Sequence, residues 1–377
     1  MWKNRVVWLV SLLAAGGLYF FDNGPETGAI LLGVLLIPPL LAAAALLPAG
    51  RREIELEVPE DWERGTASRC ALRIRGLSAL AECRGDFVCR NRLTGEEVRT
   101  PFQLTGKREL GMSVTLSHCG KAEFSVEQVS LYDPFRLFCR RVAWGETETR
   151  QVPPRPFPME VQLREESSSL WDSDRYSASH PGSDPSETFQ IREYIPGDPV
   201  RQIHWKLSEK TGRTMVREFG LPVSGQVLLL LETTLLPGCT VDGDEADAVM
   251  DVLCALSRTL TASGFVHNIG WQDGGQYREM EIRDSADFDA LLDELLSCRF
   301  EPEERTVIER RAEQPGRAFA HLAVIAPYLP PDLALLRGSG EVTALVLDEA
   351  APLWSDGAAV IQFSAGGFRQ ELGQLTL

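Results

Sequence analysis

The chain opens with two uncharged apolar runs, continues in short two-residue alternation, and ends in apolar blocks of strand and helix length. Val6 to Phe21 reads VVWLVSLLAAGGLYFF and Gly28 to Leu47 reads GAILLGVLLIPPLLAAAALL. The second run is long enough to cross a hydrocarbon core of about 30 Å, and the first is near the short limit. Together they predict a transmembrane helical hairpin over residues 1–52. Trp2, Trp8, Tyr19 and the Phe20–Phe21 pair suit the membrane–water interface. Pro38–Pro39 predicts a kink in the second helix, with freed carbonyls that a neighbouring helix helps to satisfy.

Charge orients this hairpin. Lys3 and Arg5 precede the first run and Arg51 and Arg52 follow the second, while the connection Asp22–Thr27 carries only acids. The positive-inside rule places both ends in the cytoplasm. The expected location is the inner (plasma) membrane, with the soluble domains facing the cytoplasm. A cleavable signal peptide is the competing explanation of the first run. Leu18-Tyr19-Phe20-Phe21-Asp22 is too bulky for an ordinary cleavage site, and a second uncharged run follows at once.

From residue 53 to 152 the period is two. Ile54-Glu55-Leu56-Glu57-Val58 alternates, as do Ala71–Arg75 and Ala122–Val129 with one slip, and turn signals such as Thr94-Gly95-Glu96 separate the runs. This predicts an all-β, sandwich-like module. Residues 153–187 read as a proline-rich connector followed by a mobile Ser/Asp/Pro-rich loop. The pattern changes class in residues 221–377. Val227–Leu231 is a continuous apolar block, as for a strand buried on both faces. Asp244–Ala262 reads as a helix capped by Asp242 or Asp244. Phe265–Trp271 is the next strand, and Asp273-Gly274-Gly275 turns it into Gln276–Ile282. Asp284–Ser297 is helical, with Phe288, Leu291, Leu292 and Leu295 as its apolar stripe. Three further buried strands follow, at His321–Ile325, Val342–Leu347 and Ala359–Phe363. Strands alternating with helices predict a mainly parallel, doubly wound α/β domain.

Composition narrows the function. The 377 residues carry a formal net charge of −16, which opposes bulk nucleic-acid binding because a phosphate backbone would be repelled. None of the eight cysteines stands in a C-x-x-C pair, so buried, reduced thiols are expected rather than a zinc ribbon or redox pair. No G-x-S-x-G elbow or Gly-rich phosphate loop occurs, and none of the five histidines lies in a recognisable catalytic motif.

The most specific stretch lies between the two modules, in residues 188–220. It includes Arg192-Glu193-Tyr194-Ile195-Pro196-Gly197-Asp198-Pro199-Val200-Arg201-Gln202-Ile203-His204-Trp205-Lys206-Leu207, then Thr211-Gly212-Arg213 and a strand-like Met215–Phe219. Ile195-Pro196-Gly197 is a turn. Asp198 is a good N-cap, with Pro199 at the first helical position. Val200, Ile203 and Leu207 would then pack inward, and Arg201 could stack on Trp205 one turn later. Either Arg201 and Trp205 seal a core edge, or Gly197, Asp198, Arg201, His204, Trp205 and Lys206 form a docking patch for a partner.

This run resembles the signature of the domain-of-unknown-function-58 family, R-E-Y-x-P-G-D-x-x-R-x-I-x-W-K followed by T-G-x-x-x-V-R-E. The two early spans, the Tyr132–Phe138 segment (YDPFRLF) and the proline-rich connector fit the same resemblance. The resemblance implies a membrane-anchored protein with a C-terminal half similar to a von Willebrand factor A domain. It also implies association with a MoxR-type AAA+ ATPase and a transglutaminase-like membrane protein. A working A-domain metal site carries D-x-S-x-S after its first strand. Here the stretch is Glu232-Thr233-Thr234-Leu235-Leu236, so Glu232 and Thr234 mark a degenerate site and no bound metal or other cofactor is expected. The expected role is a non-enzymatic interaction or assembly protein. The alternatives are an Mg²⁺-dependent adhesion-type module and a hydrolase, for which His204 would be the place to look.

Overall fold

The computed structural model describes residues 1–46, 53–76, 78–105, 109–142, 147–162, 176–182, 184–195, 198–314, 318–348 and 351–376. Two compact units divide between Pro153 and Pro154, inside the proline run.

The first unit begins with helices α1 (Trp2–Asp22) and α2 (Pro25–Leu46), each long and apolar enough to cross a membrane. Asn23 closes α1 in the left-handed conformation, with its N–H donated to Tyr19 O at 2.8 Å. The proline pair lies inside α2. Pro38 has no N–H to offer the carbonyl one turn back, Val34 O. Trp8 Nε1 donates to that carbonyl at 2.9 Å. The neighbouring helix thus satisfies the acceptor that proline frees, and the Trp8 indole N–H faces α2. Trp8→Phe is expected to cost about 1 kcal/mol by orphaning Val34 O in an apolar setting, while Trp2→Phe should cost nothing, since Trp2 is exposed. Thermal unfolding of the two variants in detergent checks this.

Eight strands follow: β1 (Glu53–Glu57), β2 (Ala67–Arg75), β3 (Glu82–Asn91), β4 (Glu97–Thr105), β5 (Glu109–Thr115), β6 (Gly120–Tyr132), β7 (Cys139–Arg141) and β8 (Thr147–Val152). They form an antiparallel sheet β1-β2-β5 and a second antiparallel sheet in which β3 and β6 are central. Alternation decides the inner face. Ile54, Leu72 and Ile74 of the first sheet share one core with Phe87, Phe124 and Leu131 of the second. Trp62 stacks on Phe124 at 5.3 Å between ring centres. The loop from β6 to β7 is tied from inside. Buried Asp133 accepts from the N–H groups of Phe135 at 3.0 Å and Phe138 at 2.6 Å. Arg136 clamps buried Glu82 through two nitrogens at 2.9 and 3.1 Å.

The second unit is built on a mixed sheet. Its strands are β9 (Glu160–Gln162), β10 (Tyr176–Gly182), β11 (Asp184–Glu193), β12 (Met215–Leu231), β13 (His267–Asp273), β14 (Gln276–Ile282), β15 (Ala318–Ala326), β16 (Glu341–Val346), β17 (Trp354–Ser355), β18 (Ala358–Gln362) and β19 (Gln374–Thr376). Its helices are α3 (Trp205–Thr211), α4 (Gly243–Ala262), α5 (Ser285–Leu295), α6 (Val307–Glu313) and α7 (Phe368–Glu371). The main sheet runs β14-β13-β12-β15-β16-β18-β17. Pairs between β13 and β18 along this order are parallel, and both edge pairs are antiparallel. Val227–Leu231 is wholly buried, as a strand covered on both faces must be. On one face Leu228 and Leu230 pack with Val307 and Ile308 of α6.

Local chemistry sets the boundaries. Asp242 caps α4 in a capping box with Glu245, and Asp284 caps α5 through the N–H groups of Ala286 and Asp287. Phe288, Leu291, Leu292 and Leu295 are the buried residues of α5. Gly274 and Gly275, both at positive φ, form the β13–β14 turn.

Three expectations need correction. Part of the expected mobile loop is paired: β10 and β11 lie antiparallel to the first half of β12, while residues 164–175 and 183 lie outside the described residues. The strand at Met215 also does not stop near 220 but continues as β12 to Leu231, so one strand serves both the signature segment and the main sheet. Of the cysteines, six are buried, but Cys139 is half-buried and Cys239 exposed.

Candidate functional site

From Asp198 onward the signature segment folds as a short 3₁₀ turn (Val200–Gln202) and α3, laid along the start of β12. Asp198 does not cap a helix. Its carboxylate takes both terminal nitrogens of Arg192, at 2.7 and 2.9 Å, and also the Ile195 N–H at 2.8 Å. Asp198 N–H in turn donates to Ile195 O at 3.0 Å. The Arg192 guanidinium and then the Ile195 N–H hold the Asp198 carboxyl down at about 2. Gly197 lies outside the described residues. An arginine six residues upstream therefore explains the aspartate, a partnership that helix-cap rules do not suggest.

A single helix from Pro199 to Leu207 does not form, because Ile203 is drawn into a bridge with Val216. Its extended backbone, with His204 N–H bonded to Met215 O at 2.8 Å, interrupts the helical run. His204 caps α3 instead, with Nδ1 3.3 Å from Leu207 N and Nε2 3.1 Å from Arg217 Nη2. Ser208 Oγ donates to His204 O and accepts from Met215 N at 2.8 Å, fastening α3 to β12. Several of its side chains face solvent: Trp205 is 66% exposed, Val200 65% and Ile195 59%, and Arg201 and Lys206 are exposed as well. Val200 does not pack inward, and Trp205 does not seal a core edge.

At the other end of β12 a buried carboxylate closes the strand. Glu232 is fully buried; Oε1 accepts from Thr234 N at 2.7 Å and Oε2 from Val307 N, at the first turn of α6, at 3.0 Å. Tyr328 hydroxyl donates to Thr234 O, and Thr306 hydroxyl donates to Asp332 Oδ2. Asp332 Oδ1 is buried with no hydrogen-bond partner among the described residues. Burial outweighs the two N–H groups and pushes Glu232 up to about 7; burial likewise raises Asp332. Thr306, Tyr328 and Asp332 were not legible as neighbours of Glu232, because three loops far apart in sequence bring them together. The Thr306-x-x-Glu309 capping box before Val307-Ile308 was the one local signal.

These residues do not fit the A-domain metal set. Both Glu232 oxygens already serve backbone donors, Leu236 offers no side-chain oxygen, and a hard cation requires about six oxygens. Because this set offers Mg²⁺ no competent site, Glu232→Ala is expected to leave the response of the melting temperature to millimolar Mg²⁺ unchanged to within about 1 °C. A thermal scan with and without Mg²⁺ checks this.

Residues 190–245 match the model of a family described as Protein of unknown function DUF58. The match supports the DUF58 family. No curated protein matches the chain. The DUF58 match starts within β11 and runs into the first turn of α4, so it contains the Arg192–Asp198 clamp, the exposed Trp205 face and Glu232. Elsewhere in the same unit, Ser257 Oγ lies 2.7 Å from His267 Nε2, and His321 Nε2 lies 3.0 Å from Thr343 Oγ1. All four side chains are buried, so these pairs are closed to a substrate.

Proposed function

We propose that this is a membrane-anchored, non-enzymatic docking protein whose signature segment receives a protein partner. One observation carries the proposal: Trp205, Val200, Ile195, Arg201 and Lys206 are presented outward on a segment whose backbone is held by Arg192–Asp198 and Ser208. An exposed tryptophan with an exposed arginine four residues before it has the composition of an interface hot spot. Its basic character on a chain of net charge −16 favours an acidic partner surface.

The partner we propose is a MoxR-type AAA+ ATPase, with a transglutaminase-like membrane protein as a further member, at the cytoplasmic face of the inner membrane. The two membrane-capable helices support anchoring, and Lys3 and Arg5 against an acidic connection support the orientation. We also propose that the second unit is von Willebrand factor A-like. In support, the order β14-β13-β12-β15-β16-β18 is the doubly wound 3-2-1-4-5-6 order, and the signature lies on its first central strand. Gentle detergent extraction of native membranes followed by separation of intact complexes tests the function. The ATPase should travel with the protein; recovery of the protein alone would refute the assignment.

A further inference from the structure

The first unit contains a groove of about 620 Å³, within the range of ligand-sized sites, that no part of the docking proposal uses. Its walls follow helical spacing. Asn4, Val7, Trp8 and Ser11 form one face of α1, and Ile30, Gly33, Val34, Ile37 and Pro38 form one face of α2. Phe135 and Leu137, from the loop between β6 and β7, complete it. The small residues Ser11 and Gly33 leave the space. A side chain at Gly33 would meet only Ile37 Cδ1, at 3.6 Å.

The loop is bonded to the first turn of α1. Asn4 Nδ2 donates to Phe135 O at 2.8 Å and Arg5 Nε to Leu137 O at 2.7 Å. The groove therefore begins where the charged residues Lys3 and Arg5 stand, and none of its lining residues is acidic. From Asn4 to Ser11 the wall rises about 10 Å, and from Ile30 to Pro38 about 12 Å. A single leaflet is about 15 Å deep. The groove thus serves one leaflet, the one at the basic end of the hairpin. A partner helix crossing the membrane would need a face through both leaflets, whereas an acyl chain needs only one.

We infer that this groove holds the acyl chain of one anionic phospholipid, whose phosphate lies by Lys3 and Arg5. The inference rests on the hairpin being in the membrane. Lipid there fills the space left by Ser11 and Gly33, covers the half-exposed Phe135, and joins the β module's loop to the bilayer surface. The charge at the groove's entrance selects an anionic headgroup over a zwitterionic one.

The test uses full-length protein purified in neutral detergent, with phosphatidylglycerol or phosphatidylcholine added to the micelles. Native mass spectrometry and thermal unfolding are the readouts. Wild type should retain one phosphatidylglycerol. With that lipid about 100-fold above its dissociation constant, unfolding should move up by roughly 5 °C or more. Gly33→Leu fills the groove from α2 and Ser11→Leu from α1, and each should lose both the retained lipid and the shift. Lys3→Gln should cut the preference for phosphatidylglycerol by about fivefold. The inference is overturned if wild type retains no lipid, if both filled variants retain it, or if the two lipids are held equally. It is also overturned if another protein chain occupies the groove and Gly33→Leu releases it. Carbonate extraction separates the two ways of failing. Wild type released from the membrane would refute the hairpin itself; wild type kept in the pellet without retained lipid would refute only the groove's occupant.

Discussion

Trp205→Ala should weaken partner binding by roughly 30-fold or more while leaving the fold intact. The magnitude is that of a hot-spot tryptophan, about 2 kcal/mol or more. The intact fold follows from exposure: with two thirds of Trp205 in solvent, truncation removes little packing, and substitutions at such positions change stability by no more than about 0.5 kcal/mol. Arg201→Ala should act in the same direction with a smaller effect. Ser208→Ala is the contrasting variant. It removes the hydroxyl that joins His204 O to Met215 N, so it should lower stability by about 1 kcal/mol and affect binding only through α3. Partner capture and thermal unfolding, measured together on the three variants, separate the roles. A Trp205→Ala protein that melts early, or that binds as well as wild type, removes the docking face from consideration.

Glu232 should make the protein less stable as pH rises from about 4.5 to about 7. The folded carboxyl titrates near 7 because it is buried, whereas an unfolded glutamate titrates near 4.5. Across that window the native state binds the proton and the unfolded state does not, so raising the pH favours unfolding. Below the window both states are protonated and above it both are charged, and the contribution is flat. The span corresponds to roughly 3 kcal/mol. Asp332, also raised by burial, adds to the slope in the same direction. Asp198 acts oppositely in a separate window. Its carboxyl is held down to about 2, so its stabilisation is present above the ordinary aspartate value and lost as pH falls toward 2. Denaturant midpoints of wild type and Glu232→Gln between pH 4.5 and 7.5 provide the check. The variant should be less stable at the acid end, because its amide nitrogen faces a backbone N–H. It should also lose most of the slope. An equal slope in both proteins would show that Glu232 does not titrate in this range.

The Arg192–Phe219 segment shows where local rules stop. Helix-cap statistics assign Asp198 to the helix that follows, and spacing assigns Val200 to a buried face. Neither assignment includes the competition from β12. The Ile203–Val216 bridge straightens the backbone, and Arg192 takes the carboxylate that would have capped. Both partners lie outside the segment in which a helix is scored. The same holds for Glu232. Its replacement of an A-domain aspartate was visible in the sequence, but its anchoring to the first turn of α6 was not, because Val307 is 75 residues away.

What the amino-acid sequence determined by itself was what short-range physics controls. Two uncharged stretches gave helices of membrane length, period two gave strands, and Asp242 and Asp284 set helix starts. Phe288, Leu291, Leu292 and Leu295 gave the buried stripe of α5. Pro38 even forecast an orphan carbonyl, since proline's missing N–H is a property of one residue. Only the tertiary structure decided who answers each unsatisfied group: Trp8 for Val34, Arg192 for Asp198, and Val307 for Glu232. A residue's own preferences act within a few bonds, and so can be read in sequence. Its hydrogen-bond partner is chosen by where the whole chain comes to rest.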